Sequence, residues 1–445
     1  MKLAVIGTGF VGLVSCVCFA EKGHQVFCVD IDRAKVDLIN SGTPPIYERG
    51  LEALLKKHIG VRLQATTDLY RAVQESDLSL ICVGTPFGGA HIDLTAIKTV
   101  SWQIGEALKS KTGFHAVVVK STVVPGTTDE VVTPILEEAS HKQAGVGFGV
   151  GMNPEFLTEG EAIHDFMSPD RIVLGGINQA TLDMQAELYA GFAGVDVLRT
   201  NNKTAETIKY ASNALLATMI SFSNELANLC TALQGVDIVE VLKGVHLSRY
   251  LRVKLPQGES YAPDILSFLG AGCGFGGSCL PKDVKALVAH GAQAGVDMQL
   301  LDAVLRVNEQ QPKQVLQLIK KHFPELSGVR VAILGLAFRP DTNDMRESPA
   351  IPIMRQLLQE GAVIQAYDPV ATHEAKKIFA NGEVRFAASL SEVLTGAEVV
   401  VVVTRWDEFQ QLPALLKPMV APPVVVDGRR MLDKHAFARY EGIGV

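Results

Sequence analysis

The sequence predicts an α/β chain: two doubly wound parallel sheets joined by a long central helix and a helical middle domain. Three observations carry that expectation. Short apolar runs without alternation recur over residues 1–200 and again over 324–445, as in parallel strands buried on both faces. The first run opens directly into Gly7-Thr8-Gly9-Phe10-Val11-Gly12 and a helical stretch. Between the two parts, Lys203 to Gln234 keeps a helical pattern with neither Gly nor Pro, well beyond the usual helix of about 11–12 residues.

The chain has 445 residues, room for two or three domains, and its 47% hydrophobic content supports sizeable cores. A formal charge of -7 and the absence of any Lys/Arg cluster argue against a nucleic-acid partner. No uninterrupted apolar run reaches about 18 residues, so no membrane span is expected. The apolar stretch after Lys2 imitates a signal peptide, but the glycines within it account for it better. The cysteines at 16, 18, 28, 82, 230, 273 and 279 form no CxxC pair, which suits a reducing cytoplasm and not a disulfide framework. The histidines are scattered without ligand spacing, so no metal is expected.

The first domain is expected over 1–200. Leu3-Ala4-Val5-Ile6 runs into the glycine turn, a helix follows to about Lys22, Gly23 ends it, and Val26–Val29 forms a strand ending in Asp30. Gly7 allows the tight turn. Gly9 lets a pyrophosphate approach the helix N-terminus, and Gly12 lets helix and strand pack closely. Gly7, Gly9, Val11 and Gly12 therefore form the expected dinucleotide cradle. Asp30, 18 residues beyond Gly12, can accept hydrogen bonds from the adenosine ribose. A carboxylate there repels a 2′-phosphate, so NAD is expected and not NADP. Further strands are expected at Leu78–Val83, ending in Gly84-Thr85-Pro86, and at Ala116–Lys120, ending in Ser121-Thr122. Val146–Met152 leads into Asn153-Pro154-Glu155-Phe156-Leu157-Thr158-Glu159-Gly160, with two carboxylates four residues apart past a strand end. Asp170–Gly175 and Val195–Leu198 read as the last strands of this part.

The middle domain is expected over 201–323. Its long helix is expected to span domains and to carry a dimer interface. Lys209 and Asn213 lie four residues apart, on one helix face. Gly244–Gly272 reads as irregular and leads into Gly274-Phe275-Gly276-Gly277-Ser278-Cys279-Leu280-Pro281-Lys282-Asp283. Pro281 suits a first helical turn, which puts Cys279 at the positive end of a helix, where a thiolate is stabilised. Lys282 adds positive charge, and Asp283 can hold a water or trade a proton. On these residues alone, a small buried cysteine in a helix-capping loop explains the stretch equally well. A helical region should follow to about His322, interrupted at Gly291 and Gly295.

The third part, 324–445, begins a second α/β unit at Val329–Leu334. Its first turn, Gly335-Leu336-Ala337-Phe338-Arg339-Pro340, lacks a full GxGxxG. Arg346 lies in the polar stretch Asp341–Pro349. Strands are expected at Val363–Tyr367, Glu398–Val403 and Val424–Val426. Thr404-Arg405-Trp406-Asp407 and Asp427-Gly428-Arg429-Arg430 follow the last two.

Together these residues resemble the UDP-glucose/GDP-mannose dehydrogenase family over essentially the whole chain. The resemblance rests on the N-terminal fingerprint, Val83-Gly84-Thr85-Pro86, Lys120-Ser121-Thr122, Asn153-Pro154-Glu155-Phe156-Leu157, Lys209 with Asn213, the cysteine stretch, Asp344-Met345-Arg346-Glu347-Ser348-Pro349 and Val426-Asp427-Gly428-Arg429. It implies oxidation of a sugar-nucleotide primary alcohol at carbon 6 to a carboxylate, with two NAD used in sequence. Cys279 would trap the aldehyde as a thiohemiacetal, and the thioester formed next would be hydrolysed. Lys209 and Asn213 would stabilise oxyanions, Asp283 and Thr122 would hold a proton-relaying water, and Glu155 would assist hydrolysis. Thr85, Thr122, Glu159, Lys282 and Arg346 would lie near NAD, with Lys35 near the adenosine ribose. Phe156, Leu157, Arg249, Phe268, Leu269, Gly276, Phe338, Arg339 and Arg429, with Glu155, Lys209 and Asn213, would contact the sugar nucleotide.

Two departures concern the substrate. The family arginine that reaches into a neighbouring subunit's site falls near Arg249 if about a dozen residues are inserted around Arg252–Asp264. Gly270 stands where an amide or lysine is common. The expected reaction is UDP-glucose to UDP-glucuronate in a cytoplasmic homodimer, with GDP-mannose or another UDP-hexose as the alternative substrate. A non-catalytic nucleotide-sugar binder is opposed by the intact Cys279, Lys209, Asn213 and Asp283. A one-step alcohol dehydrogenase has no need of the cysteine.

Overall fold

The computed structural model describes residues 1–233, 235–255 and 260–445. The predicted helix end at Gln234 and the centre of the expected insertion, 256–259, lie outside the described residues. The chain forms two compact units, Met1–Ser212 and Asn213–Val445.

The first unit is built on an eight-stranded sheet: β1 Lys2–Ile6, β2 Gln25–Val29, β3 Leu63–Thr66, β4 Leu78–Ile81, β5 Ala116–Val119, β6 Gly149–Met152, β7 Arg171–Gly176 and β8 Asp196–Thr200. Their order is β3-β2-β1-β4-β5-β6-β7-β8, so the winding reverses between β1 and β4. All neighbours are parallel except β6 and β7. β4, β5 and β6 are buried on both faces, and Ala116 to Val119 are wholly inaccessible. Each buried valine, leucine or isoleucine side chain here contributes about 1.5–3 kcal/mol. The helix Phe10–Glu21 is buried along nearly its whole length. It can lie this close to β1 only because residue 12 is glycine: a Cβ there would stand 1.8 Å from the Gly7 carbonyl oxygen.

The second unit contains a short antiparallel strand pair, β9 Val253–Lys254 and β10 Ser260–Tyr261. Its sheet contains β11 Arg330–Leu334, β12 Val363–Tyr367, β13 Val384–Phe386, β14 Val399–Val402, β15 Val424–Asp427 and β16 Tyr440–Gly442. The order β13-β12-β11-β14-β15-β16, parallel throughout, repeats the winding of the first six strands. Helices Ile238–His246, Leu280–Gln293 and Gln299–Lys320 precede it.

The long helix is continuous over Asn202–Ala232; it starts in the first unit, and from Asn213 on it belongs to the second. Two expectations need correction. Gly244 lies inside the helix Ile238–His246, so the irregular segment starts later. Gly291 does not interrupt its helix; it is buried there, and a Cβ would lie 2.5 Å from Met298 Cγ. The break comes at Gly295, whose φ of +77° suits glycine. Among the described residues, no helix is long and apolar enough to cross a membrane.

Glu206, in the first turns of the long helix, is buried against the turn after β5. It accepts from Gly126 N–H at 2.6 Å, Thr128 N–H at 2.8 Å and the Thr128 hydroxyl at 2.6 Å. Burial outweighs these donors and pushes its carboxyl up to about 7. The folded chain therefore keeps a proton that the unfolded chain releases above its ordinary value. Its contribution to stability is full below about 4.5 and is lost as pH rises through about 7. Denaturant titrations should show wild-type stability falling relative to Glu206→Gln by on the order of 2–3 kcal/mol between pH 5 and 8. Parallel pH profiles for the two proteins would show that Glu206 titrates normally.

Candidate active site

In the first unit the glycine turn closes the carboxyl end of β1. Gly7 has φ +97°, and a Cβ there would meet the Cys82 carbonyl oxygen at 2.7 Å. Gly9 caps the helix Phe10–Glu21, and nothing lies within 4 Å of the place its Cβ would take. That space leaves the helix N-terminus accessible to a phosphate. Asp30 directly follows β2 and accepts from the Thr8 N–H at 2.9 Å and the Thr8 hydroxyl at 2.6 Å. Desolvation works to raise the Asp30 pKa, but the Thr8 hydroxyl, the backbone donors and Lys35 win and hold it below the usual range. Asp30 is thus an ionised acceptor beside the turn. An open Gly9 and a charged Asp30 fit a dinucleotide without a 2′-phosphate. Val11 lies in the first turn of the same helix, and Lys35 in the helix Arg33–Asn40.

The ends of β4 and β5 are tied together, since the Thr85 hydroxyl donates to the Thr122 carbonyl at 2.7 Å. Past β6, Glu155 and Lys209 form a buried ion pair, Oε1 to Nζ, at 3.1 Å. Glu155 Oε2 accepts from Leu157 N–H at 2.7 Å. Burial alone would raise Glu155, but the Lys209 charge and the Leu157 N–H reverse this and hold it below the ordinary carboxylate value. Phe156 packs against two cations, with Arg171 at 3.9 Å and Lys209 at 5.5 Å from its ring centre. A cavity of roughly 150 Å³ runs along Asn153–Thr158 and reaches Lys120 and Arg171. Glu159 is half-buried in the same turn.

In the second unit Cys279 is the N-cap of the helix Leu280–Gln293, with Pro281 in its first turn. Cys279 is half-buried, whereas the other six cysteines are buried, and none of the seven is in a disulfide. Asp283, one turn on, is 1% exposed and accepts from Asn213 Nδ2 at 2.6 Å and from the Lys282 ammonium. The loop before the cysteine is clamped from several sides. Gly277 N–H donates to the Arg346 carbonyl at 2.9 Å, and a Cβ on Gly276 would stand 2.2 Å from the Glu347 carbonyl oxygen. Gly277, at φ +87°, packs against Phe338, whose ring would lie 2.7 Å from a Cβ there. Arg429 Nη1 donates to the Gly274 carbonyl at 2.8 Å. Arg346 forms a forked ion pair with Asp344. Phe268 ends a short 3-10 helix, and Leu269 follows it, buried. Arg339 is half-buried next to Phe338. Arg249 is exposed, with its guanidinium stacked 5.1 Å from the ring centre of its neighbour Tyr250.

Models of three domains match this chain: the NAD binding domain of the UDP-glucose/GDP-mannose dehydrogenase family over 1–193, its central domain over 203–310 and its UDP binding domain over 332–434. The chain belongs to the UDP-glucose/GDP-mannose dehydrogenase family. It is similar to a UDP-glucose 6-dehydrogenase of Haloferax volcanii, 42% identical over the full length of both chains. A GDP-mannose 6-dehydrogenase of Pseudomonas putida is 38% identical, again over the full length of both. The solved UDP-glucose dehydrogenase of Pyrobaculum islandicum superposes with a TM-score of 0.90 at 36% identity, covering 99% of this chain and 97% of that one. As a member of this family the chain is an NAD-dependent oxidoreductase.

The second sheet of this dehydrogenase repeats the winding of the first without its dinucleotide site. Asp368 stands at the end of β12 as Asp30 does at the end of β2. It is buried, and it accepts from Leu336 N–H, Ala337 N–H, Trp406 Nε1, Val370 N–H and Ala371 N–H. Sequence reasoning gave no role to Thr8, which orients Asp30, or to Lys120, which is buried and donates to Asn153 Oδ1 at 3.0 Å. It also overlooked Asn224, Asn308 and Gln311, whose amides hold the backbone of Gly272 and Phe275. A buried polar partner for an irregular loop leaves no local pattern to read.

Replacing Asp30 should change cofactor choice. Asp30→Ser is expected to raise kcat/KM with NADP relative to NAD by roughly tenfold or more, because a like-charge repulsion is removed. Initial rates with both cofactors measure this, and an unchanged ratio would place Asp30 away from the ribose.

Proposed function

We propose that this dehydrogenase oxidises UDP-glucose at carbon 6 to UDP-glucuronate, through a covalent intermediate on Cys279. The observation that carries the reading is the placement of Cys279: the most accessible of the cysteines caps a helix N-terminus, where the helix dipole favours a thiolate. NAD, held at the first sheet, would supply the hydride acceptor for each of the two oxidations. The thiolate adds to the carbon of the aldehyde and forms a thiohemiacetal. Loss of the second hydride leaves a thioester, and water cleaves it to the carboxylate and the free thiol. Lys209 and Asn213 stabilise the oxyanions formed along the way. Asp283, held by Asn213 and Lys282, serves as an acceptor for a water, together with Thr122. Glu155, kept ionised, assists hydrolysis. Thr85, Glu159, Lys282, Arg346 and Lys35 border NAD. Phe156, Leu157, Phe268, Leu269, Gly276, Phe338, Arg339 and Arg429 border the sugar nucleotide.

The Haloferax volcanii relative favours UDP-glucose, and the Pseudomonas putida relative keeps GDP-mannose as the second reading. Wild-type enzyme should form two NADH per UDP-glucose. NADH formation with GDP-mannose and none with UDP-glucose would select the second reading. Cys279→Ser should lower the full oxidation by roughly a hundredfold or more and stop at the aldehyde level. Undiminished release of two NADH per sugar by that variant would sink the covalent route.

The proposed assembly is a homodimer in the cytoplasm, and the proposed domains are 1–200, 201–323 and 324–445. Seven cysteines outside any disulfide support a reducing compartment. Leu215, Phe222 and Leu229 are spaced by seven along the long helix and are 53%, 47% and 54% exposed. This apolar stripe suits a second copy of the helix. The exposed Arg249 is the candidate to reach the partner's site. Sedimentation equilibrium should show a dimer for wild type and a monomer for Phe222→Glu combined with Leu229→Glu. A dimer that persists in the double variant would place the interface elsewhere.

A further inference from the structure

We propose that Arg405 is a second cation for the diphosphate of the nucleotide sugar, standing beside Arg429 at the carboxyl edge of the second sheet. The inference rests on the nucleotide-sugar reading above and adds a residue to it. Arg405 follows β14 and Arg429 follows β15, strands that are neighbours in the sheet. The winding reverses between β11 and β14, and ligands of doubly wound sheets bind beyond the carboxyl ends at such a point. Arg405 Nε and Nη2 donate to the Arg429 carbonyl at 3.1 and 2.7 Å. Arg429 in turn donates to the carbonyls of Val403 and Gly274. Both guanidiniums are thus held by backbone oxygens, which neutralise no charge.

Among the described residues, neither arginine forms an ion pair with a carboxylate. The nearby Asp427 accepts from Arg429 N–H, Leu432 N–H and the Tyr440 hydroxyl instead. Two like charges kept side by side repel until an anion joins them, and a guanidinium fork matches phosphate oxygens. Arg405 remains exposed, and its Nη1 has no protein acceptor among the described residues. Its head also borders Gly270, which directly follows Phe268 and Leu269: a Cβ on Gly270 would stand 3.5 Å from Nη2. The missing side chain at 270 leaves this space to the guanidinium.

Isothermal titration of UDP, with uridine measured as a competing ligand, tests the assignment. Arg405→Gln is expected to weaken UDP by roughly tenfold to a hundredfold and leave uridine unchanged. Arg405→Lys, which keeps the charge and loses the fork, should weaken UDP clearly less than Arg405→Gln does. Gly270→Gln, which leaves Arg405 in place but crowds its head, should weaken UDP in the same direction. The assignment is overturned if Arg405→Gln binds UDP as wild type does, if UDP and uridine weaken by the same factor, or if Arg405→Lys is as weak as Arg405→Gln. The last two outcomes would make Arg405 a brace for the Arg429 loop. Wild-type protein that fails to bind UDP overturns the nucleotide-sugar reading as well, whereas wild-type binding with an insensitive Arg405→Gln overturns this inference alone.

Discussion

The chain leading into Cys279 has no ladder of its own, so its backbone polar groups take partners from remote loops and, at several places, from side chains. Asn224 accepts from Gly272 N–H at 2.8 Å, and Gln311 donates to the Gly272 carbonyl at 3.0 Å. Asn308 takes both polar groups of Phe275, at 2.7 and 3.0 Å. Asn224 comes from the long helix, and Asn308 and Gln311 from the helix Gln299–Lys320. The loop therefore inherits its position from two packed helices. The glycines then remove every side chain that would hold it away from Phe338 and the Glu347 carbonyl. A cysteine carried on loop backbone gains in this way the precision of a site built on helices.

The two sheets share a winding and differ in one carboxylate environment. Asp30 is half-buried and keeps accepting capacity beside an open glycine turn, while Asp368 is buried and its oxygens are filled by backbone and indole donors. A ribose hydroxyl would have to displace Leu336 N–H, Ala337 N–H or Trp406 from Asp368, leaving a buried donor unpaired. One winding thus yields a dinucleotide cradle in the first unit and a sheet edge in the second that offers arginines rather than an acidic acceptor. The missing GxGxxG after β11 is the sequence trace of that difference.

Much of this was legible where one residue type has one physical reason to be present. The strands buried on both faces announced themselves as apolar runs, and Gly7, Gly12 and Gly276 stand where a Cβ would collide with backbone. Edge strands were harder. β3 buries only Leu63 and Ala65 fully, and β13 has three residues, so neither shows an apolar run. Gly291 was read as a break because its packing against Met298 is tertiary. Asn308 and Gln311 sit at helical positions that look like a solvated face, and Arg405 looks like a turn charge, because the loops they meet are remote in sequence.

The Glu155–Lys209 pair bears on what such a burial is for. A buried ion pair is a poor source of stability, since the desolvation of both groups offsets their attraction, and an apolar pair of similar volume would fasten the same turn to the same helix. A charge held at a fixed place in a dry interior is what an apolar pair cannot supply. Lys120 is also buried and also lowers Glu155, so two ammonium groups act on one carboxylate. The local balance is positive. It keeps Glu155 ionised against its burial and leaves a field that favours negative charge developing nearby. Lys209 lies one helical turn from Asn213, which holds Asp283. The same helix thus carries a cation on one turn and an amide on the next. That arrangement explains why the long helix carries polar residues at positions whose burial would otherwise call for leucine.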